Sequence, residues 1–246
     1  GVFPRSAKSL LGGERKAVLL GNAAAHHANA SSLLALANLI ALQTGATVGY
    51  LTEAANTVGA QWARAQPQAA GLNAAQMLSG SLKAAILLNT EPEFDSAVGG
   101  AAALALGKAA MVVSLSPFKA NMAFSDVLLP IAPFTETSGS FVNAEGRVQS
   151  FYAVVRPLGD ARPAWKVLRV LGNLLELPGF EFETSQDVLA QVKKTPLSLN
   201  NATHVAIRLD AGTGEPAVAS IYQLDSLVRR APSLQLTADA RAEVAA

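Results

Sequence analysis

The chain has 246 residues, half of them hydrophobic, with 19 basic against 18 acidic side chains and a formal net charge of +1. That near-balance leaves no electrostatic case for nucleic acid or an anionic membrane surface, while the apolar half can fill a sizeable core. Cysteine is absent, which excludes disulfides and any cysteine-ligated zinc, iron–sulfur or molybdenum centre within this chain.

A mean hydropathy of +0.29 fits either a large ordinary core or a surface that packs on other subunits. Gly1 to Gly13 lacks the charged start and apolar centre of a signal peptide, and the chain reads as a piece of a longer polypeptide. From Ala17 to Thr52 the only ionisable side chains besides Tyr50 are His26 and His27. Asn22, Asn29, Ser31, Ser32, Asn38, Gln43 and Thr44 break that stretch into apolar runs too short to cross a bilayer, so a buried helix is expected there.

In chain order, Lys16 to Leu20 reads as a short strand ending at Gly21-Asn22, followed by a helix over Ala30 to Gln43 and a strand over Thr47 to Leu51. Glu53 to Asn73 shows no sustained period and reads as an irregular connection, and Ala74 to Ser79 as a short helix. A strand over Ala84 to Leu88, a polar loop over Asn89 to Asp95, a helix over Ala97 to Leu106 and a strand over Ala110 to Leu115 come next. Val127 to Leu129 adds a strand stopped by Pro130, which has no N–H for a ladder. Asn143-Ala144-Glu145-Gly146 is a turn between Phe141-Val142 and Arg147-Val148. Pro163 to Leu177 and Ser185 to Val192 read as helices, the second with Ser185 as its cap, and Ala231 to Ala246 as an extended segment with a frayed end.

Strands alternating with helices predict an α/β fold, a doubly wound, mostly parallel sheet over residues 1–185, with a small mixed carboxyl-terminal appendage over 186–246. Ligands of such sheets lie at the carboxyl ends of the strands, which places Gly21-Asn22, Asn89 to Glu93 and Ser116 to Lys119 along one rim.

The candidate chemistry is thin. Gly21 to His26 sits where a phosphate could bind but lacks a Gly-x-Gly-x-x-Gly or Walker pattern, so a plain strand-to-helix turn is the competing reading. Adjacent His26 and His27 diverge and make a poor metal pair, and no metal site is assigned. Glu91, Glu93 and Asp95 read as a solvated acidic loop rather than a magnesium site. Ser114 and Ser116 lack the Gly-x-Ser-x-Gly elbow of a hydrolase. Asp126, Glu136 and Glu145 invite a general acid–base reading, yet their positions in turns favour structural hydrogen bonds or pairing with Arg147, so no catalytic residue is assigned. Trp62, Phe141 and Trp165 read as core or interface anchors, and Arg229-Arg230 as a solvated charge pair or a subunit contact.

Residues 125–149 carry the densest pattern: Asp126, Leu129, Pro130, Glu136, Gly139, Phe141, Asn143, Glu145, Gly146, Arg147 and Gln149 at fixed offsets. This run resembles the signature of the molybdopterin oxidoreductase family, with Ser125 and Ser140 as departures. Gly159 to Leu168 and Ile221 to Thr237 further resemble the carboxyl-terminal part of the large iron–sulfur subunit of bacterial proton-translocating NADH:quinone oxidoreductase, respiratory complex I. The likeness runs from about Lys16 onward. It implies a formate dehydrogenase-like fold that holds no cofactor in this piece, iron–sulfur clusters in the part of the subunit preceding it, and electron passage from NADH to quinone by the whole complex. It also implies other peripheral-arm subunits as partners, no direct membrane insertion, and a place on the cytoplasmic side of the inner membrane.

Under that resemblance Asp126, Pro130, Glu136, Gly139, Asn143, Glu145, Gly146 and Arg147 are structural, and a surviving pterin cleft would use Gly21, Asn22, Asn143 and Arg147. The alternative is a piece of a molybdopterin-guanine-dinucleotide enzyme such as formate dehydrogenase or nitrate reductase. A third possibility, a nucleotide or metabolite module, rests on the sheet rim alone.

Overall fold

The computed structural model describes residues 2–52, 54–80, 82–197 and 220–244. The chain divides into two compact units. One contains the stretch up to Gly59 and the hairpin tip Val142–Arg147, and the other contains Ala60–Phe141, Val148–Pro196 and the described tail.

The first unit opens with α1 (Val2–Gly12), where no element was expected from periodicity; Ser6 to Leu11 is nonetheless a run that helices tolerate well, closed by Gly12-Gly13. The strand β1 (Ala17–Leu20), the single turn α2 (Asn22–Ala25), α3 (Ala30–Thr44) and β2 (Thr47–Tyr50) then form one parallel crossover. β1 pairs with β2 in register from Ala17↔Thr47 to Leu20↔Tyr50. The α3 helix buries Ala35 and Ala37, and it stops at Gly45, whose φ of +71° is open to glycine at little cost and whose N–H reaches Ala41 O at 2.8 Å. The stretch assigned as irregular holds α4 (Thr57–Trp62).

In the second unit, α5 (Ala74–Ser79) starts at a reciprocal capping box between Asn73 and Gln76. The strand β3 (Ala84–Leu88), the turn α6 (Pro92–Asp95), α7 (Gly100–Leu106), β4 (Met111–Ser116) and β5 (Val127–Pro130) build a parallel sheet of order β3-β4-β5. Its register runs Ala84↔Met111 to Leu88↔Leu115 and Val113↔Val127 to Ser116↔Pro130. Pro130 ends an edge strand, where its missing N–H costs no ladder bond. The core gathers Ala102, Leu106, Val112, Ser114 and Leu115, all at most 3% exposed.

The strands β6 (Gly139–Val142) and β7 (Val148–Phe151) form the expected hairpin, with Phe141 edge-on to Phe151 at 5.2 Å. Then come α8 (Ala164–Leu174) and α9 (Ser185–Lys193). The cap of α9 is Thr184, not Ser185: Thr184 and Asp187 form the capping box.

Two further expectations change. The parallel strands are divided between two sheets, β1–β2 in one unit and β3–β4–β5 in the other, because strand pairing is non-local and periodicity cannot set it. The tail from Ala231 is helical where described, as α10 (Pro232–Gln235) and α11 (Ala238–Val244), with Pro232 in the first turn of α10, where its fixed φ favours a helix start. Gln235 ties α10 down by donating to Tyr222 O and Val228 O at 3.0 and 2.9 Å. Among the described residues no helix is long and apolar enough to cross a membrane.

Candidate functional site

A polar constellation of paired charges lies at the carboxyl end of the three-stranded sheet. β3 ends at Leu88, and Asn89 turns the chain in a left-handed conformation (φ +48°) while its N–H bonds Leu115 O at 2.8 Å. Asn121, beyond β4, is left-handed as well (φ +61°), and its Nδ2 donates to Thr90 O at 2.9 Å, stitching the two loops together. Asparagine tolerates this region better than most residues.

The loop after Asn89 is acidic, and it is not solvated as expected. Glu91 is 7% exposed and receives both terminal nitrogens of Arg230, at 2.7 and 3.0 Å. Asp95 uses one carboxylate oxygen to accept from Glu91 N–H at 2.7 Å, and the other to accept from Arg229 Nη2. Arg229 is deeper still, its side chain 5% exposed, with Nη1 at 3.4 Å from Glu91 Oε2. That nitrogen lies within ion-pair range but outside hydrogen-bonding geometry, and Nε has no partner either. Each guanidinium faces an aromatic ring, Arg229 on Phe94 at 4.7 Å and Arg230 on Phe118 at 4.2 Å. The sequence-based choice of a solvated pair or subunit contact for Arg229-Arg230 is therefore replaced by a bond within the chain. A contact between residues more than a hundred positions apart leaves no spacing signal; the adjacent arginines and the acidic loop were each visible, but their pairing was not.

Of the three segments expected on one rim, Asn89 to Glu93 and Ser116 to Lys119 share this sheet end, whereas Gly21-Asn22 ends β1 in the other unit. Ser114 is fully buried, 2.7 Å from Ser125 Oγ, and Ser116 Oγ accepts from Phe118 N–H, so neither is posed as a nucleophile. The rim carboxylates Glu91 and Asp95 are thus engaged with guanidinium groups.

The signature residues have local partners. Asp126 accepts from Val112 N–H at 2.7 Å and returns its own N–H to Val112 O at 2.9 Å, fixing the start of β5 against β4. Glu136 accepts from Leu158 N–H at 3.0 Å. Asn143 Oδ1 accepts from the N–H groups of Glu145 and Arg147 at 3.1 and 2.9 Å, while Gly146 supplies the left-handed turn residue (φ +80°). Gly139 lies under Phe151, where a Cβ would come within 2.7 Å of Cζ. Glu145 and Arg147 meet at 4.0 Å in the open, a weak pairing. Elsewhere His27 Nδ1 accepts from Asn29 N–H, and Trp62 Nε1 donates to Thr195 O at 2.7 Å.

The four cleft candidates are held as follows. Asn143 has its oxygen committed to its own turn, Arg147 is 72% exposed, and Gly21 caps a helix of a single turn without a side-chain bond. No hydrogen bond or ion pair among the described residues joins Gly21 or Asn22 to Asn143 or Arg147. Two open grooves exist, about 630 Å³ beside Arg5, Arg15 and Lys16 and about 600 Å³ beside Arg156, Trp165 and Lys166, and neither holds any of the four. Among the described residues no group of three or more histidine, aspartate or glutamate side chains could hold a metal ion.

Comparison with known proteins gives this geometry a family. The chain is 36% identical over 77 residues to a Staphylococcus aureus (strain USA300) protein called "Putative formate dehydrogenase", a stretch covering 30% of this chain and 8% of the relative. The homologue from strain MRSA252 is 33% identical over 75 residues, with the same coverage. The alignment thus spans a small part of the curated relatives. Residues 6–174, more than half of the chain, match the model of the molybdopterin oxidoreductase family, and the chain belongs to that family.

Proposed function

We propose that this chain is a structural domain of a large oxidoreductase subunit, contributing packing rather than a redox centre of its own. The observation that carries this reading is the rim of the β3–β4–β5 sheet. At the carboxyl end of its strands the chain's own Arg229 and Arg230 are bonded to Glu91 and Asp95. The absence of thiols from the sequence agrees, since no iron–sulfur cluster or thiolate-bound metal can be carried by these residues. The parent in this reading is the large iron–sulfur subunit of NADH:quinone oxidoreductase, favoured by the likeness of residues 159–168 and of the same arginine-bearing tail.

A second reading has its own support. The relatives above are named as formate dehydrogenases, and by name they favour a molybdopterin enzyme over a complex I subunit. In that case Gly21, Asn22, Asn143 and Arg147 would line a pterin cleft that the remainder of the enzyme completes.

Turnover by the intact parent protein separates the two. Reduction of quinone by NADH without formate oxidation supports the first reading; formate-dependent dye reduction by a molybdenum-loaded protein replaces it with the second.

A further inference from the structure

The groove of about 600 Å³ on the second unit gathers three cations, Arg156, Arg162 and Lys166, around Trp165. Two of them are held in place. Arg162 Nη1 donates to Gly159 O at 3.2 Å and to Ala161 O at 2.8 Å, and Lys166 Nζ lies over the Trp165 ring at 5.4 Å. Ser138 and Ser185, which also line the groove, meet through their hydroxyls at 2.9 Å and tie the loop before β6 to the start of α9. Glu136 and Glu183 belong to the lining too, yet among the described residues none of the three cations forms an ion pair. Glu136 is already engaged, its Oε2 accepting from Leu158 N–H at 3.0 Å. The groove thus carries positive charge that the chain's own carboxylates do not answer.

The segment bearing Arg156 adds an apolar edge. Tyr152 is 72% exposed, and Val154 and Leu158 are each 82% exposed. This edge is tethered on both sides of Arg156, by Val154 N–H to Thr135 O at 2.8 Å and by Leu158 N–H to Glu136. Tryptophan, tyrosine and arginine are the residues that protein interfaces concentrate, and apolar groups of this size gain from being covered.

We propose that the groove and its apolar edge form a docking site for a polypeptide segment, from outside these 246 residues, that carries both carboxylates and apolar side chains. Charge complementarity selects the carboxylates, which the planar fork of a guanidinium matches. Val154 and Leu158 select the apolar groups. A phosphate polymer would meet Glu136 and Glu183 and leave the apolar edge wet, and a small ligand would need an enclosed, mostly apolar pocket. The site holds for either parent named above, because no redox chemistry enters the contact.

Chemical labelling tests it on the intact parent protein, isolated with its natural partners. Phenylglyoxal modification of Arg156 is mapped by peptide mass spectrometry, native against urea-unfolded. Modification should be slowed about tenfold or more at low salt, and the protection should be lost at about 1 M sodium chloride, where screening reaches roughly 3 Å. A carbodiimide, which joins an amine to a carboxylate in contact, should link Lys166 to an aspartate or glutamate outside these 246 residues. Weaker protection overturns the proposal, as does protection that survives the salt, which would mean a contact made without carboxylates. Links from Lys166 to Glu136 or Glu183 alone, or no link, overturn it too, and protection removed by nuclease would give the groove to nucleic acid instead.

Discussion

Arg230 grips Glu91 with a two-pronged fork, Nη1 to Oε1 at 2.7 Å and Nη2 to Oε2 at 3.0 Å, across 139 positions of sequence. This bond holds the tail to the end of the sheet. Glu91 is buried, so removing its partner leaves a carboxylate that water reaches poorly. Breaking such a pair is costlier than the pair is stabilising. Arg230→Ala should therefore destabilise the protein by about 2–3 kcal/mol, seen as a lower urea midpoint. Arg230→Lys should recover only part, because an ammonium cannot make the fork or lie flat on Phe118. An unchanged midpoint in Arg230→Ala would show that the tail bears no weight there.

Asp126 matters through one amide. Its carboxylate takes the N–H of Val112, a residue 1% exposed. Asp126→Ala should cost about 1–3 kcal/mol by leaving a buried donor without a partner. Asp126→Asn, which keeps an acceptor oxygen, should cost less. Equal losses in the two variants would point to charge rather than to the hydrogen bond.

At the start of α9, hydrogen bonds from Thr184, first its backbone N–H and then its hydroxyl, hold the Asp187 carboxyl below its ordinary value, with Glu183 N–H adding to the effect. A depressed folded-state value means that the cap contributes fully above the unfolded aspartate range and is lost as pH falls through the lower, folded value. The protection factors of the first-turn amides of α9, taken relative to the intrinsic exchange rate at each pH, should fall on acidification through that window. Asp187→Asn should remove the pH dependence, and a pH-insensitive first turn in the native protein would contradict the assignment.

Much of the fold was legible because its signals are local. The α3 helix announces itself by a charge-free alanine and leucine run closed by Gly45, and α5 by Asn73 three residues before Gln76. Pro130 and the Asn143 to Gly146 turn mark the edge strand and the hairpin. What stayed hidden depends on distance along the chain. Strand alternation does not tell which strands pair, so two parallel sheets looked like one. The burial of Glu91 by Arg229 and Arg230 joins segments without any common spacing, and each half looked like a solvated charge group. Thr184 and Ser185 are both good caps by type, and only the reciprocal bond with Asp187 decides between them.

Molybdenum and pterin content of the purified intact parent protein tests the scaffold reading most directly. The rim occupied by its own arginines and the Asn143 oxygen committed to its own turn predict neither, at any useful fraction of one per protein. Stoichiometric molybdenum with a pterin that is lost in Asn143→Ala or Arg147→Ala would contradict it, and would give those residues to a working cofactor site.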